Sequence, residues 1–161
     1  GVQTCALPIY AVRYLAGLGH ERLMWIGLER GADRSHSVRR DAFWAAAKDL
    51  GLAGEDLLVP APAGRRRRIE DEISCARGAV LDRLEQGTSA TAMVCYHDLL
   101  ALAACAALTG RGMQVPGEMS VVGFDDVFGE LCWPPLTCVS HMLHETAHRA
   151  VALLLQMAES G

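Results

Sequence analysis

The sequence lacks the features that mark several functional classes. The longest uninterrupted apolar run, residues 99–108, is well short of the roughly 18 residues that a membrane span needs. No P-loop, GxGxxG fingerprint or nucleophile elbow is present, so nothing indicates nucleotide binding or hydrolase chemistry. The net charge is −4, and the aspartate and glutamate residues are spread along the chain. The domain itself therefore has no electrostatic reason to bind nucleic acid or an acidic membrane.

The six cysteines do not form a metal or redox motif, because no pair has CxxC or zinc-finger spacing. Cys95, Cys105 and Cys138 lie in apolar segments, where a reduced cysteine behaves as a small hydrophobe. Reduced cysteines indicate the cytoplasm rather than an oxidising compartment. A metal site of His97 with His141 or His144 is an alternative that no ligand spacing supports. We expect neither metal nor cofactor.

The pattern along the chain predicts the fold class. With 161 residues, 51% of them hydrophobic, the chain is typical of one soluble globular domain. Apolar runs of strand length occur at 23–28, 57–59, 92–96 and 119–124, and helical periodicity occurs at 37–50, 69–84 and 98–108. This alternation predicts an α/β fold with a mostly parallel sheet, helices on both faces and right-handed crossovers.

Both ends of the chain depart from this alternation. Residues 10–17 read as the end of an amphipathic helix, whereas residues 1–9 have no periodicity and resemble a translated sequencing-library adapter. We interpret 1–9 as an artefact and 10–161 as the folded domain, and expect the native protein to extend upstream. A natural disordered extension is the alternative. A short extended segment at 136–140 and a helix at 145–157 follow the last long strand.

Charged residues indicate a ligand site at the ends of the strands. Asp125 and Asp126 follow the fourth strand, and open α/β sheets bind ligands at the carboxyl ends of their strands. Arg39 begins the helix after the first strand, and its guanidinium suits a carboxylate or vicinal hydroxyls. Arg40 points about 100° away from it. The alternatives are a turn-capping aspartate and a solvated arginine.

Three segments together resemble the LacI/GalR family of bacterial transcription regulators. They are residues 116–126 (PGEMSVVGFDD), 134–137 (PPLT) and 97–102 (HDLLAL). The resemblance covers residues 11–160, about half of a typical member. It implies a type I periplasmic-binding-protein-like fold, with one lobe nearly complete and part of the other. The absent half would include the helix-turn-helix domain that binds operator DNA.

The resemblance also implies which residues bind the effector. They are Arg39 and Asp125, with further pocket positions at Ser35, His97 and His141. His97 stands where the family usually has Asn, which offers both a donor and an acceptor, so the departure points to an effector other than the commonest sugars. For His141 a hinge role is the alternative. We predict Asp98 to be a helix N-cap rather than a ligand residue.

The helix predicted at 98–108 is apolar all round, so it must be buried on more than one side. The resemblance implies that a homodimer interface covers the second side, and that Leu99, Leu100, Leu102 and Cys132 form this interface. Burial within the chain is the alternative.

The leading hypothesis is the effector-sensing and dimerising part of a LacI-type regulator. A small effector, such as a sugar, a sugar acid or a related metabolite, would control operator binding allosterically. The run Arg65–Arg68 would favour an anionic effector if it reached the ligand. A secreted solute-binding protein is the first alternative. A small α/β enzyme using His97, Asp98 or Asp125 as acid or base is the weaker one. We predict that the chain is not an enzyme.

Overall fold

The computed structural model describes residues 2–29, 34–60 and 68–159. Within these ranges, five strands form one sheet in the order β2-β1-β3-β4-β5, and every neighbouring pair is parallel. The strands are β1 (Arg22–Leu28), β2 (Ala53–Val59), β3 (Ala92–Cys95), β4 (Ser120–Asp125) and β5 (Thr137–Ser140). The predicted α/β fold with a parallel sheet is confirmed.

Helices cover both faces of the sheet, as predicted. They are α1 (Val2–Gly17), α2 (Arg34–Asp49), α3 (Ile69–Gln86), α4 (Asp98–Gly110) and α5 (Leu143–Glu159), with a 3₁₀ turn at Gly129–Leu131. Side chains alternate along β1, because Leu23 and Trp25 pack with α1 and α2 while Met24 and Ile26 pack with α3 and α4. A strand buried on both faces reads as one apolar run. None of the described helices has both the length and the apolar character needed to cross a membrane.

Helix α1 begins at Val2 and continues through the boundary predicted at residue 9. Its second half is fixed on the sheet by Ala11, Val12 and Leu15, which are buried. Pro8 lies inside the helix. The interpretation of residues 1–9 as an artefact stays a prediction.

Helix α4 is buried largely within its own chain, which corrects part of the predicted dimer interface. Its partner α3 packs along it and, together with the sheet, buries the side that carries Leu100, Ala104 and Leu108. Leu100 has no exposed surface and Cys132 is 6% exposed, so neither has surface to offer a second copy. Leu99 and Leu102 are half-buried, and their place at an interface stays a prediction.

We expect Gly123→Ala to destabilise the fold by about 1–3 kcal/mol, because overpacking a filled core forces its neighbours to move. A Cβ on Gly123 in β4 would lie 2.8 Å from Asp98 Oδ1 and 2.9 Å from Leu136 Cδ2. Gly78→Ala is the matched control: its Cβ in α3 would meet nothing within 4 Å, and it should stabilise the helix by roughly 0.5–1 kcal/mol. Urea unfolding measures both, and equal stability of Gly123→Ala and the wild type would contradict the expectation.

Candidate ligand-binding site

The order in which the chain adds strands to the sheet reverses between β1 and β3. From β1 the chain passes through α2 to β2 on one side, and α3 then returns it to β3 on the other. Ligands of open α/β sheets bind beside the carboxyl ends of the strands at such a switch point. Asp125 ends β4 and lies opposite Ser140 of β5. The structure therefore brings Asp125 and His141 to the same edge.

Arg39 occupies the centre of this edge. Its Nη1 donates to the carbonyl oxygen of Tyr96 at 2.7 Å, and its Nη2 donates to Asp125 Oδ1 at 3.0 Å. The guanidinium carbon lies 5.1 Å from the ring centroid of Tyr96 and 5.3 Å from that of Phe124, within cation–π range. The side chain is 9% exposed, so Arg39 is not a solvated surface arginine. Arg40 pairs instead with Asp56 of β2.

His141 and Asp125 complete a triangle of polar contacts with Arg39. Arg39 Nη2 lies 2.8 Å from His141 Nε2, which in turn lies 3.0 Å from Asp125 Oδ1. The backbone of Asp125 has φ +90° and that of Asp126 φ +58°, in the region that residues other than glycine rarely adopt. Such strain persists only where surrounding contacts hold it, and it is typical of functional sites.

Asp98 is not the N-cap of α4, which corrects the prediction for this residue. His97 takes the N-cap position, and Asp98 uses its carboxylate for tertiary contacts. Oδ2 accepts from the backbone N–H groups of Val127 at 2.7 Å and Phe128 at 3.0 Å, and Oδ1 accepts from Cys138 Sγ at 3.2 Å. Burial and the Asp98 carboxylate together raise the pKa of the Cys138 thiol. Asp98 thus fixes the loop that follows Asp125.

His97 contacts a carboxylate that was not among the predicted site residues. His97 Nε2 lies 2.9 Å from Glu72 Oε1 in the first turn of α3, and the side chains are 19% and 14% exposed. Among the described residues, neither Glu72 Oε1 nor His97 Nδ1 has a hydrogen-bond partner. Burial lowers the pKa of His97, and the Glu72 carboxylate opposes that shift. Acidic residues in a first helical turn usually interact favourably with the helix dipole. The sequence alone therefore gives no sign that Glu72 belongs to the site.

Ser35 lies at the same edge, with its Oγ 2.6 Å from the Tyr96 hydroxyl. Beside these residues is a cavity of about 230 Å³ lined by His97, Asp98, Leu99, Asp125, Val127 and Phe128. Complete small-molecule sites enclose roughly 300–1,000 Å³. The cavity at this edge is therefore smaller than a complete small-molecule site.

The arginine run adds little to this edge in the described part of the chain. Residues 65–67 of the run lie outside the described residues, and Arg68 forms an exposed ion pair with Glu70 at 2.9 Å. Within the described ranges, no three His, Cys, Asp or Glu side chains are grouped so that they could hold a metal ion.

Comparison with known proteins identifies the family. A model of the periplasmic binding protein-like domain matches residues 12–161, so the chain belongs to this family. The predicted resemblance to LacI/GalR regulators is also confirmed, since the curated relatives are helix-turn-helix transcriptional regulators.

Two curated relatives and one solved structure illustrate the match. An uncharacterised HTH-type regulator from the aml 5′ region of Streptomyces limosus is 40% identical over 152 residues, covering 91% of this chain and 40% of the relative. GalR of Escherichia coli K12 is 30% identical over 151 residues, covering 93% and 42%. A LacI family regulator from Arthrobacter sp. FB24, crystallised with lactose, shares the fold with a TM-score of 0.76 and 21% identity over 98% of this chain and 54% of that chain. The chain thus spans about two-fifths of the length of these curated relatives.

We expect His97→Asn to reduce the loss of stability at acid pH. Because burial lowers the pKa of folded His97 below its ordinary value of 6.5, the unfolded chain binds this proton first as the pH falls through 6.5. The free energy of unfolding therefore declines from that pH downward until folded His97 also titrates. Urea unfolding between about pH 7.5 and pH 5 measures the slope.

His148→Asn on the exposed face of α5 is the control for this experiment and should keep the wild-type slope. Some slope remains in both variants, because burial also lowers the pKa of His20. Parallel slopes for His97→Asn and the wild type would show that His97 is not held neutral by burial.

Proposed function

We propose that this chain is the effector-sensing part of a LacI/GalR-type transcription regulator. A small, hydroxyl-rich ligand binds at the carboxyl edge of the sheet and changes how the whole protein binds operator DNA. The observation that carries this proposal is the triangle of Arg39, Asp125 and His141 at the switch point, set on strained backbone at Asp125. The lactose complex of the Arthrobacter regulator supports a sugar-like effector.

The chemistry of Asp125 suits a polyol. Its Oδ1 accepts from Arg39 and lies 3.0 Å from His141 Nε2, which leaves Oδ2 to accept hydrogen bonds from a ligand. The side chain is 32% exposed, so the oxygen can be reached. Carboxylates accept hydroxyl hydrogen bonds strongly, because charge-assisted bonds exceed neutral ones.

The loop after Asp125 offers a route from ligand to protein shape. Asp125 stands at its start, and the Asp98 carboxylate holds the backbone of Val127 and Phe128. The loop leads to β5 and then to α5. A ligand that binds one arrangement of this loop better than another shifts the equilibrium between them, and that difference in affinity is the source of allosteric control.

The partners of the whole protein follow from the same proposal. Operator DNA is bound by a part of the protein other than this acidic domain, whose net charge is −4. A second copy of the chain covers the remaining exposed surface of Leu99 and Leu102 on α4. The two helix-turn-helix domains of such a dimer then bind two half-sites of the operator together. The site of action is the cytoplasm, where operator DNA lies, and the role is binding rather than catalysis.

We expect Asp125→Asn to weaken sugar binding at least about tenfold, which corresponds to roughly 1.4 kcal/mol. The variant loses the charge that strengthens hydroxyl contacts and the ion pair that orients Arg39. The measurement is amide NMR titration of the 161-residue chain with monosaccharides and lactose. Binding to this small cavity should be weak, with shifts centred on Tyr96, His97 and His141.

The matched control is Asp126→Asn, which changes the neighbouring exposed residue, also at positive φ, by the same chemistry. It should leave sugar affinity unchanged. Absence of localised shifts with every sugar, or equal losses in both variants, would count against the proposed site.

A further inference from the structure

We propose that Glu72 is a specificity-determining residue of this site and that the effector is neutral or cationic rather than a sugar acid or a phosphate. The inference rests on the proposed function and adds to it the charge class of the ligand. Glu72 belongs to α3, and its carboxylate contacts His97 at the ligand-facing edge. It acts through its charge rather than by touching the ligand.

The Arg39 guanidinium, the cation at this edge, already makes its contacts within the protein. Arg39 Nη1 donates to Tyr96, and Nη2 is shared between Asp125 and His141. Its Nε is buried, and the side chain is 9% exposed. Because Nε is buried and Nη2 already faces Asp125 and His141, an anionic ligand would compete with the Asp125 carboxylate for this guanidinium, so Arg39 does not serve as an open anion site.

The three carboxylates at this edge, in contrast, do not all have a partner that compensates their negative charge. The charge of Asp98 is met by the backbone N–H groups of Val127 and Phe128, and that of Asp125 by Arg39. The Glu72 carboxylate contacts His97 through Oε1 at 2.9 Å. Burial favours the neutral form of His97, so within the described ranges His97 supplies no full positive charge to balance this carboxylate. A buried carboxylate without a cation disfavours a second anion nearby and favours a cation.

The charge of Glu72 is close enough to the ligand to matter. His97 lines the cavity together with Asp125, and Glu72 Oε1 lies 2.9 Å from His97 Nε2. One side chain therefore separates Glu72 from a ligand in the cavity. Buried charges are screened far less than exposed ones, and at separations of several ångströms their interaction energy is enough to change relative affinity about tenfold.

Three ligands of nearly the same shape test the charge class: glucose, glucosamine and glucuronate. Amide NMR titration of the 161-residue chain gives the affinity for each. We expect the wild type to bind glucosamine at least as well as glucose, and glucuronate most weakly. Glu72→Gln should raise the affinity for glucuronate relative to glucose about tenfold and abolish any preference for glucosamine. Glu72→Asp, which keeps the charge, should keep the wild-type order.

Glu70→Gln is the matched control, because it removes an exposed carboxylate from the same helical turn. Glu70 is 75% exposed and paired with Arg68, so its charge is screened and the order of the three ligands should not change. Thermal unfolding of each variant checks that the fold is intact. Even without the variants, the order of the three affinities in the wild type tests the proposal.

The outcomes separate this inference from the proposed function. Preference of the wild type for glucuronate, or equal responses of Glu72→Gln and Glu70→Gln, would overturn the role of Glu72, while binding that depends on Asp125 would leave the proposed function standing. If none of the three ligands shifts resonances at the carboxyl edge, the sugar-like effector and the charge preference both fail.

Discussion

The Arg39 guanidinium is the interaction on which the site depends, because it joins the ends of three strands. Arg39 belongs to α2 on one face of the sheet, yet its nitrogens contact Tyr96 after β3, Asp125 at the end of β4 and His141 after β5. A lysine could not make these contacts together, since its ammonium is a point charge and not a planar fork. The strained backbone of Asp125 is held by the same contacts.

A second anchor reaches the same region from the opposite face. Asp98 at the start of α4 holds the loop backbone after Asp125 and accepts from Cys138 of β5. Its carboxylate fits there because Gly123 has no side chain; a Cβ would lie 2.8 Å from Asp98 Oδ1. Asp98 thus holds the loop between β4 and β5 from one face, and Arg39 holds the flanking residues Asp125 and His141 from the other. In the proposed function, a ligand at Asp125 would act on a segment that is held at both ends, and this is how its binding would be transmitted.

Most of the fold could be predicted from the sequence, because strands buried on both faces appear as continuous apolar runs. The edge strand β2 was predicted only at 57–59, since its first residues are polar or exposed and pair through backbone alone. Arg39, Asp125, Ser35, His97 and His141 do meet at one edge, as expected from parallel strands. The contacts of Asp98, the position of Glu72 and the burial of Leu100 were not predictable, because each depends on a partner distant in sequence.

The distribution of unsatisfied polar atoms supports a ligand site at this edge on independent grounds. Of the five buried side-chain nitrogen or oxygen atoms without a hydrogen-bond partner in the described part of the chain, three belong to Arg39, Glu72 and His97. Buried polar atoms are nearly always paired, and each exception calls for an explanation. Proteins tolerate such costs where function requires them. Unsatisfied or strained groups thus meet at one place, and because Arg39 Nε and Glu72 Oε1 are buried, these groups would act on a ligand through their charge rather than by direct contact.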